Sequence, residues 1–60
     1  MEHLSEYLLL FHKYYKTSIN NQKDAICDIQ ALLGLEVNGI LDDFLLSLIK
    51  EGYFDLLALE

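Results

Sequence analysis

The sequence predicts an all-α fold, a small domain of three helices with a short C-terminal helical tail, and three observations predict it. Apolar residues recur at helical spacing in three separate segments. Cap residues and glycines, Asn21, Gly34, Gly39, Asp42 and Gly52, stand at the ends of those segments. The chain contains no proline, and at 60 residues it is long enough for one domain, 1–60, and no more.

The first helix is expected over residues 2–16. Leu4, Tyr7, Leu8, Phe11, Tyr14 and Tyr15 follow the i, i+3, i+4, i+7 pattern of one buried face. Glu2 and Glu6 sit in its first turns and Lys13 and Lys16 in its last, as the helix dipole favours. Leu9 and Leu10 fall outside the stripe; they either widen the buried face or meet a second surface. Residues 16–21 read as a loop, because Thr17-Ser18-Ile19-Asn20-Asn21 is β-branched or turn-prone and has no apolar period.

A second helix is expected over residues 22–33, capped by Asn21, with Asp24 in the place of a capping-box partner. Its inner face is Ala25, Ile26, Ile29, Leu32 and Leu33, with Asp24, Asp28 and Gln30 turned outward or sideways. Gly34 follows the pair Leu32 and Leu33 where a helix ending of the Schellman type needs positive φ, and Leu35 is placed to fold back on Ile29. Asn38-Gly39 reads as a turn in which both residue types tolerate positive φ. Leu35, Val37 and Ile40 are expected to point inward from this connection.

A third helix is expected over residues 42–51, capped by Asp42 with Asp43 at its positive end, and stopped by Gly52. Phe44, Leu45, Leu46, Leu48 and Ile49 cover more of its circumference than one core-facing stripe can use. Tyr53 is expected to fold back on Ile49 as the residue after the helix end, leaving a short helical tail over residues 54–59.

Composition limits the functions such a chain can have. A domain this small buries only about 60% of its unfolded surface. Its single cysteine, Cys27, rules out an internal disulfide. A hydrophobic fraction of 53% therefore points to an apolar contact surface. The net charge of −6 is uneven. Residues 1–23 carry three lysines against two glutamates, net +1, whereas residues 24–60 carry one lysine against eight acidic residues, net −7. Four dispersed lysines and no arginine make no footprint for phosphate, so direct nucleic-acid binding is not expected and a protein partner or self-association is. Apolar runs such as residues 8–11 fall far short of the roughly 18 residues that a membrane-spanning helix needs. The first residues lack the basic region and cleavage site of a secretory signal. The expected location is intracellular, in the cytoplasm, or in a particle assembled there.

From Ile29 to Leu41 the sequence Ile-Gln-Ala-Leu-Leu-Gly-Leu-Glu-Val-Asn-Gly-Ile-Leu resembles the centre of the peptidoglycan-binding-like domain family. That family has a Leu-Gln pair, a Leu-Gly helix ending and a Val-Asp-Gly-Ile-Phe turn before its next helix. The resemblance covers about a fifth of the chain. It stops at Asp42-Asp43-Phe44-Leu45, where the family has Gly-Pro-x-Thr, and Leu48 and Gly52 replace a small alanine and an aromatic residue further on. It implies a helix-turn-helix for this segment and cell-wall glycan as an alternative ligand. Because half-domains of this appearance also occur among phage-encoded proteins, it implies a virion or host-interaction setting as well.

No catalytic constellation is present, and no enzymatic activity is expected. His3 and His12 are nine residues apart with no histidine at i+4, and read as solvated surface residues without a metal. Cys27 stands among Asp24 and Asp28, which oppose thiolate formation, so a packed or half-buried thiol is expected. Asp42 and Asp43 point about 100° apart on a helix and cannot share one bond, so they are read as capping residues. Ser5, Ser18 and Ser47 have no histidine at useful spacing. No Lys-Ser or Lys-Thr follows any glycine to make a phosphate loop. Aligning Gly39 with the glycine of a calcium loop leaves Gly34 and Leu45 where the first and last ligands belong, so no calcium or other cofactor is expected.

The sequence thus predicts a non-catalytic interaction or assembly subunit, with Leu9, Leu10, Tyr14, Tyr15, Phe44 and Leu46 as its contact candidates. The alternatives are a wall-binding module, from the resemblance, and an acidic inhibitor of a basic partner surface, from the charge of the later half.

Overall fold

The computed structural model describes residues 3–60 and contains three helices: α1, Leu4–Tyr15; α2, Gln22–Leu32; and α3, Asp43–Leu57. The expected start of the first helix at Glu2 lies outside the described residues. Lys16 ends α1 in the left-handed conformation, φ 62°, and its N–H donates to the His12 carbonyl at 2.9 Å. The loop that follows is tied to α2, where the Asp28 carboxylate accepts from Ser18 N at 2.7 Å.

Both expected side-chain caps form. Asn21 Oδ1 accepts from Asp24 N at 2.9 Å and Asp42 Oδ1 accepts from Leu45 N at 2.8 Å, each satisfying an N–H left without an intrahelical partner. The end of α2 is a complete Schellman motif: Gly34, φ 75°, donates to Ala31 O, and Leu35 N donates to Gln30 O at 2.9 Å. Leu35 is half-buried against the core that contains Ile29.

The core is built from Tyr7 and Phe11 of α1, Ala25, Ile26 and Ile29 of α2, and Leu45, Ile49 and Leu56 of α3. Leu4, Leu8, Leu10, Tyr14, Leu41 and Tyr53 pack around it. Leu10 therefore widens the buried face instead of meeting a second surface, whereas Leu9 stays 55% exposed.

Gly52 does not stop the third helix, and there is no separate tail: α3 runs on to Leu57. Leu45, Ile49, Gly52 and Leu56 fall at i, i+4, i+7 and i+11, one continuous stripe toward the core. A Cβ on Gly52 would come within 2.7 Å of the Phe11 ring, so the glycine lets α1 approach α3 at that point. Tyr53 does not fold back after a helix end either. It lies within the helix and packs its ring on Tyr7, centroids 4.6 Å apart.

The expectations for Gln30, Val37 and Ile40 fail for one reason, the position of Gln30. Instead of facing outward, Gln30 is 4% exposed and fills the space under the α2–α3 connection. Its Nε2 donates to Asn38 Oδ1 at 2.8 Å and to Ile40 O at 3.3 Å, while its Oε1 accepts from Asn38 N at 3.1 Å and Gly39 N at 2.9 Å. A polar group thus occupies the interior that apolar side chains were expected to fill. Val37 and Ile40 are turned out, 52% and 61% exposed, and only Leu35 and Leu41 reach the core. Within the Asn38-Gly39 turn, Gly39 alone has positive φ, 73°. Leu32 and Leu33 lie past the last buried turn of α2 and are 45% and 40% exposed, so they are rim residues and not inner-face residues.

Replacing Gln30 by leucine should lower stability by on the order of 2 kcal/mol, since Asn38 N and Gly39 N lose their acceptor in a half-covered loop. Urea unfolding of both proteins checks this, and equal midpoints would mean the loop is held by something else. Gly52→Ala should cost about 1 kcal/mol, because overpacking against Phe11 outweighs the gain in helix propensity. In a Phe11→Leu background the same substitution should become neutral or stabilising, and additive thermal midpoints for the two changes would contradict the close approach.

Candidate functional site

The contact candidates do not form one patch. Leu9, Tyr15 and Phe44 are exposed, Phe44 at 64%, whereas Leu10, Tyr14 and Leu46 are half-buried. Leu10 and Tyr14 belong to the packing around the core, and the Tyr14 hydroxyl donates to the Glu60 carboxylate. Leu9 lines a cavity of about 300 Å³ between α1 and the start of α2, together with Leu4, Leu8, Ile19 and Ala25. Tyr15 belongs to a different groove.

That second groove, about 360 Å³, is the larger one. Phe11 and Gly52 line it from either side of the α1–α3 contact, and Tyr15, Leu32, Leu33, Leu48 and Leu56 give it apolar walls. Glu51 and Asp55, one turn apart on α3, bring two carboxylates to it. A third, shallower recess of about 200 Å³ is lined by Tyr7, Tyr53, Phe54 and Leu57 with His3 and Glu6.

Sequence reasoning missed Ile19, Leu32, Leu33 and Phe54 as surface residues. The signal for Leu32 and Leu33 was their place directly before Gly34: a side chain on the final turn of a helix extends past the elements that would cover it. Ile19 carried no signal, because a lone apolar residue in a polar loop has no period. It lies against the cavity that Leu9 lines.

Several polar side chains are committed to structure. His12 is half-buried, not solvated, and its Nδ1 donates to Thr17 O at 2.6 Å, holding the loop after α1. His3 Nδ1 lies 2.9 Å from Glu6 Oε1 at the surface. Cys27 is half-buried beside Gly39, whose absent Cβ would meet its sulfur at 3.2 Å. Among the described residues no group of three or more His, Cys, Asp or Glu side chains is placed to hold a metal ion. No helix among them is long and apolar enough to cross a membrane.

The clearest electrostatic feature is the contact of Glu60 with α1. Lys13 Nζ donates to both Glu60 oxygens, at 3.0 and 3.1 Å, and Tyr14 donates to one of them. Hydrogen bonds from Tyr14 and then Lys13 hold the Glu60 carboxyl below its ordinary value of 4.5, and the carboxylate in turn raises Lys13 and Tyr14 above theirs. A carboxyl lowered in the folded state contributes stability above its unfolded pKa and loses it as pH falls through the folded one. Glu60→Gln should therefore lower the thermal midpoint at neutral pH and converge with the native protein well below pH 4.5. A constant gap between the two proteins across an acid titration would show that the carboxylate charge is not what binds Glu60 to α1.

Comparison of the chain with protein-family models, curated proteins and solved structures finds no match, so no relative supplies a partner or ligand for these surfaces.

Proposed function

We propose that this chain is a non-catalytic protein–protein interaction or assembly subunit. The observation that carries the reading is the imbalance between covered and uncovered apolar side chains. Among the described residues eight hydrophobic ones are buried, while eleven large ones are exposed: Leu9, Tyr15, Ile19, Leu32, Leu33, Val37, Ile40, Phe44, Phe54, Leu57 and Leu59. Fully covering such a side chain is worth roughly 1.5–3 kcal/mol. At roughly 0.05–0.15 kcal/mol per residue, a domain of this length has a whole stability margin of the same order as covering two or three of them. Association supplies that cover, and a particle such as a virion is one setting in which a subunit of this kind works.

The residues that carry the peptidoglycan-binding-like resemblance support a reading of it as local architecture. Gln30, Gly34, Asn38 and Gly39 are spent on the Schellman ending and on the hydrogen bonds beneath the connection. The two carboxylates of the larger groove favour the acidic-surface alternative as a property of the same interaction subunit.

Sedimentation velocity over a dilution series up to about 100 µM tests the proposal, because association driven by uncovered apolar area depends on concentration. The expected outcome is reversible self-association that Leu9→Glu or Phe44→Glu weakens without loss of helicity. A strict monomer whose exposed leucines and phenylalanines all accept glutamate, with no change in stability or in crosslinking to any protein of its source, would sink it.

A further inference from the structure

Resting on the reading of the chain as an interaction subunit, we propose that the groove between α3 and the ends of α1 and α2 docks a short amphipathic segment of another protein, with apolar side chains flanked by Lys or Arg. Its walls, Tyr15, Leu32, Leu33, Leu48 and Leu56, offer an apolar lining of the kind that receives the apolar face of a docked helix. The volume of 360 Å³ falls at the lower end of the roughly 300–1,000 Å³ of sites that hold defined ligands. The groove also exists by design of the packing, since any side chain at Gly52 would enter the space beside Phe11.

Charge selects the occupant. Glu51 and Asp55 both line the groove and both are exposed, and neither takes part in an ion pair among the described residues. None of the four lysines lines it, and Lys13 is already bound to Glu60. Two carboxylates one turn apart on α3 match cations one turn apart on a docked segment and repel acidic ones. A second copy of this chain is a poor occupant. It carries a net charge of −6, and each of its three helices holds a single lysine, Lys13, Lys23 or Lys50, so none presents two cations one turn apart. Nucleic acid and anionic lipid surfaces are repelled by the same two carboxylates.

The test uses the full chain and three synthetic helix-forming peptides, of which the first has leucines at i, i+3 and i+7 with flanking lysines. The second replaces the lysines by glutamates, and the third replaces the leucines by glutamines. Fluorescence anisotropy should show the Leu/Lys peptide binding at least about tenfold tighter than either control, with the advantage over the Leu/Glu peptide shrinking as salt rises. The double variant Glu51→Gln, Asp55→Asn should remove most of that charge preference while leaving the apolar contribution. Leu33→Gln should weaken binding of both leucine peptides. Amide shifts on titration should cluster at Tyr15, Leu33, Leu48 and Glu51. All the substituted positions are exposed, so unchanged helicity is expected and measurable. Charge-indifferent binding, no binding, or shifts centred on Leu9 or Phe44 would overturn the proposal. So would self-association that shifts the groove residues on dilution, which would make a second copy the occupant. In the no-binding case, the sedimentation behaviour of Leu9→Glu still decides separately whether the chain is an interaction subunit at all.

Discussion

The structure depends most on one buried amide. Gln30 sits on the inner side of α2 and uses both donors and both acceptor positions of its side chain, so nothing polar is stranded beneath the α2–α3 connection. Such a fully satisfied group is strongly directional. Its bonds to Asn38, Gly39 and Ile40 fix the path of the connection that leads to Asp42, the N-cap of α3. Asn38 extends the network, because its Oδ1 also accepts from Ile40 N at 2.8 Å. The connection is therefore specified by hydrogen bonds, while the helices on either side are joined by Ile26, Ile29, Leu45 and Ile49.

This division explains what could be read from the sequence. The all-α class, the three helical segments, the caps at Asn21 and Asp42 and the glycine ending at Gly34 all follow from local rules and are observed, whereas the expected end of the third helix at residue 51 is not, since α3 runs on to Leu57. Gln30 was misplaced because hydropathy patterns sort polar residues outward, and no periodicity reveals a polar side chain whose partners lie eight to ten residues ahead. Gly52 was misread for a related reason. A glycine in the interior of a helix and one that ends it look alike in sequence, and only the Phe11 ring, 41 positions earlier, distinguishes them.

The contact surfaces were legible in quantity but not in place. The apolar excess showed that some hydrophobic residues must stay uncovered, and Leu9, Tyr15 and Phe44 do. Which of the others join them depends on how far each helix extends beyond its neighbours. Leu32 and Leu33 have the spacing of core residues and become groove walls because α2 ends there. The acidic bias of the later half was also visible, yet its concentration at Glu51 and Asp55 beside those walls is a product of tertiary packing.

The bonds of Lys13 to Glu60 join residues 47 positions apart, nearly the whole span of the chain, while the Gln30 bonds close loops of at most ten. Closing a long loop costs more chain entropy than closing a short one, and it must be met before the contact gives anything back. The Gln30 bonds can therefore form locally, whereas the packing of α1 on α3 and the Lys13–Glu60 contact must wait for distant parts of the chain to meet. Since Phe11 and Tyr15 arrive with α1, the larger groove has no complete wall until they do. Its appearance is thus tied to the finished fold, and a partly folded chain presents Leu32, Leu33 and Leu48 without the shape that would select a partner.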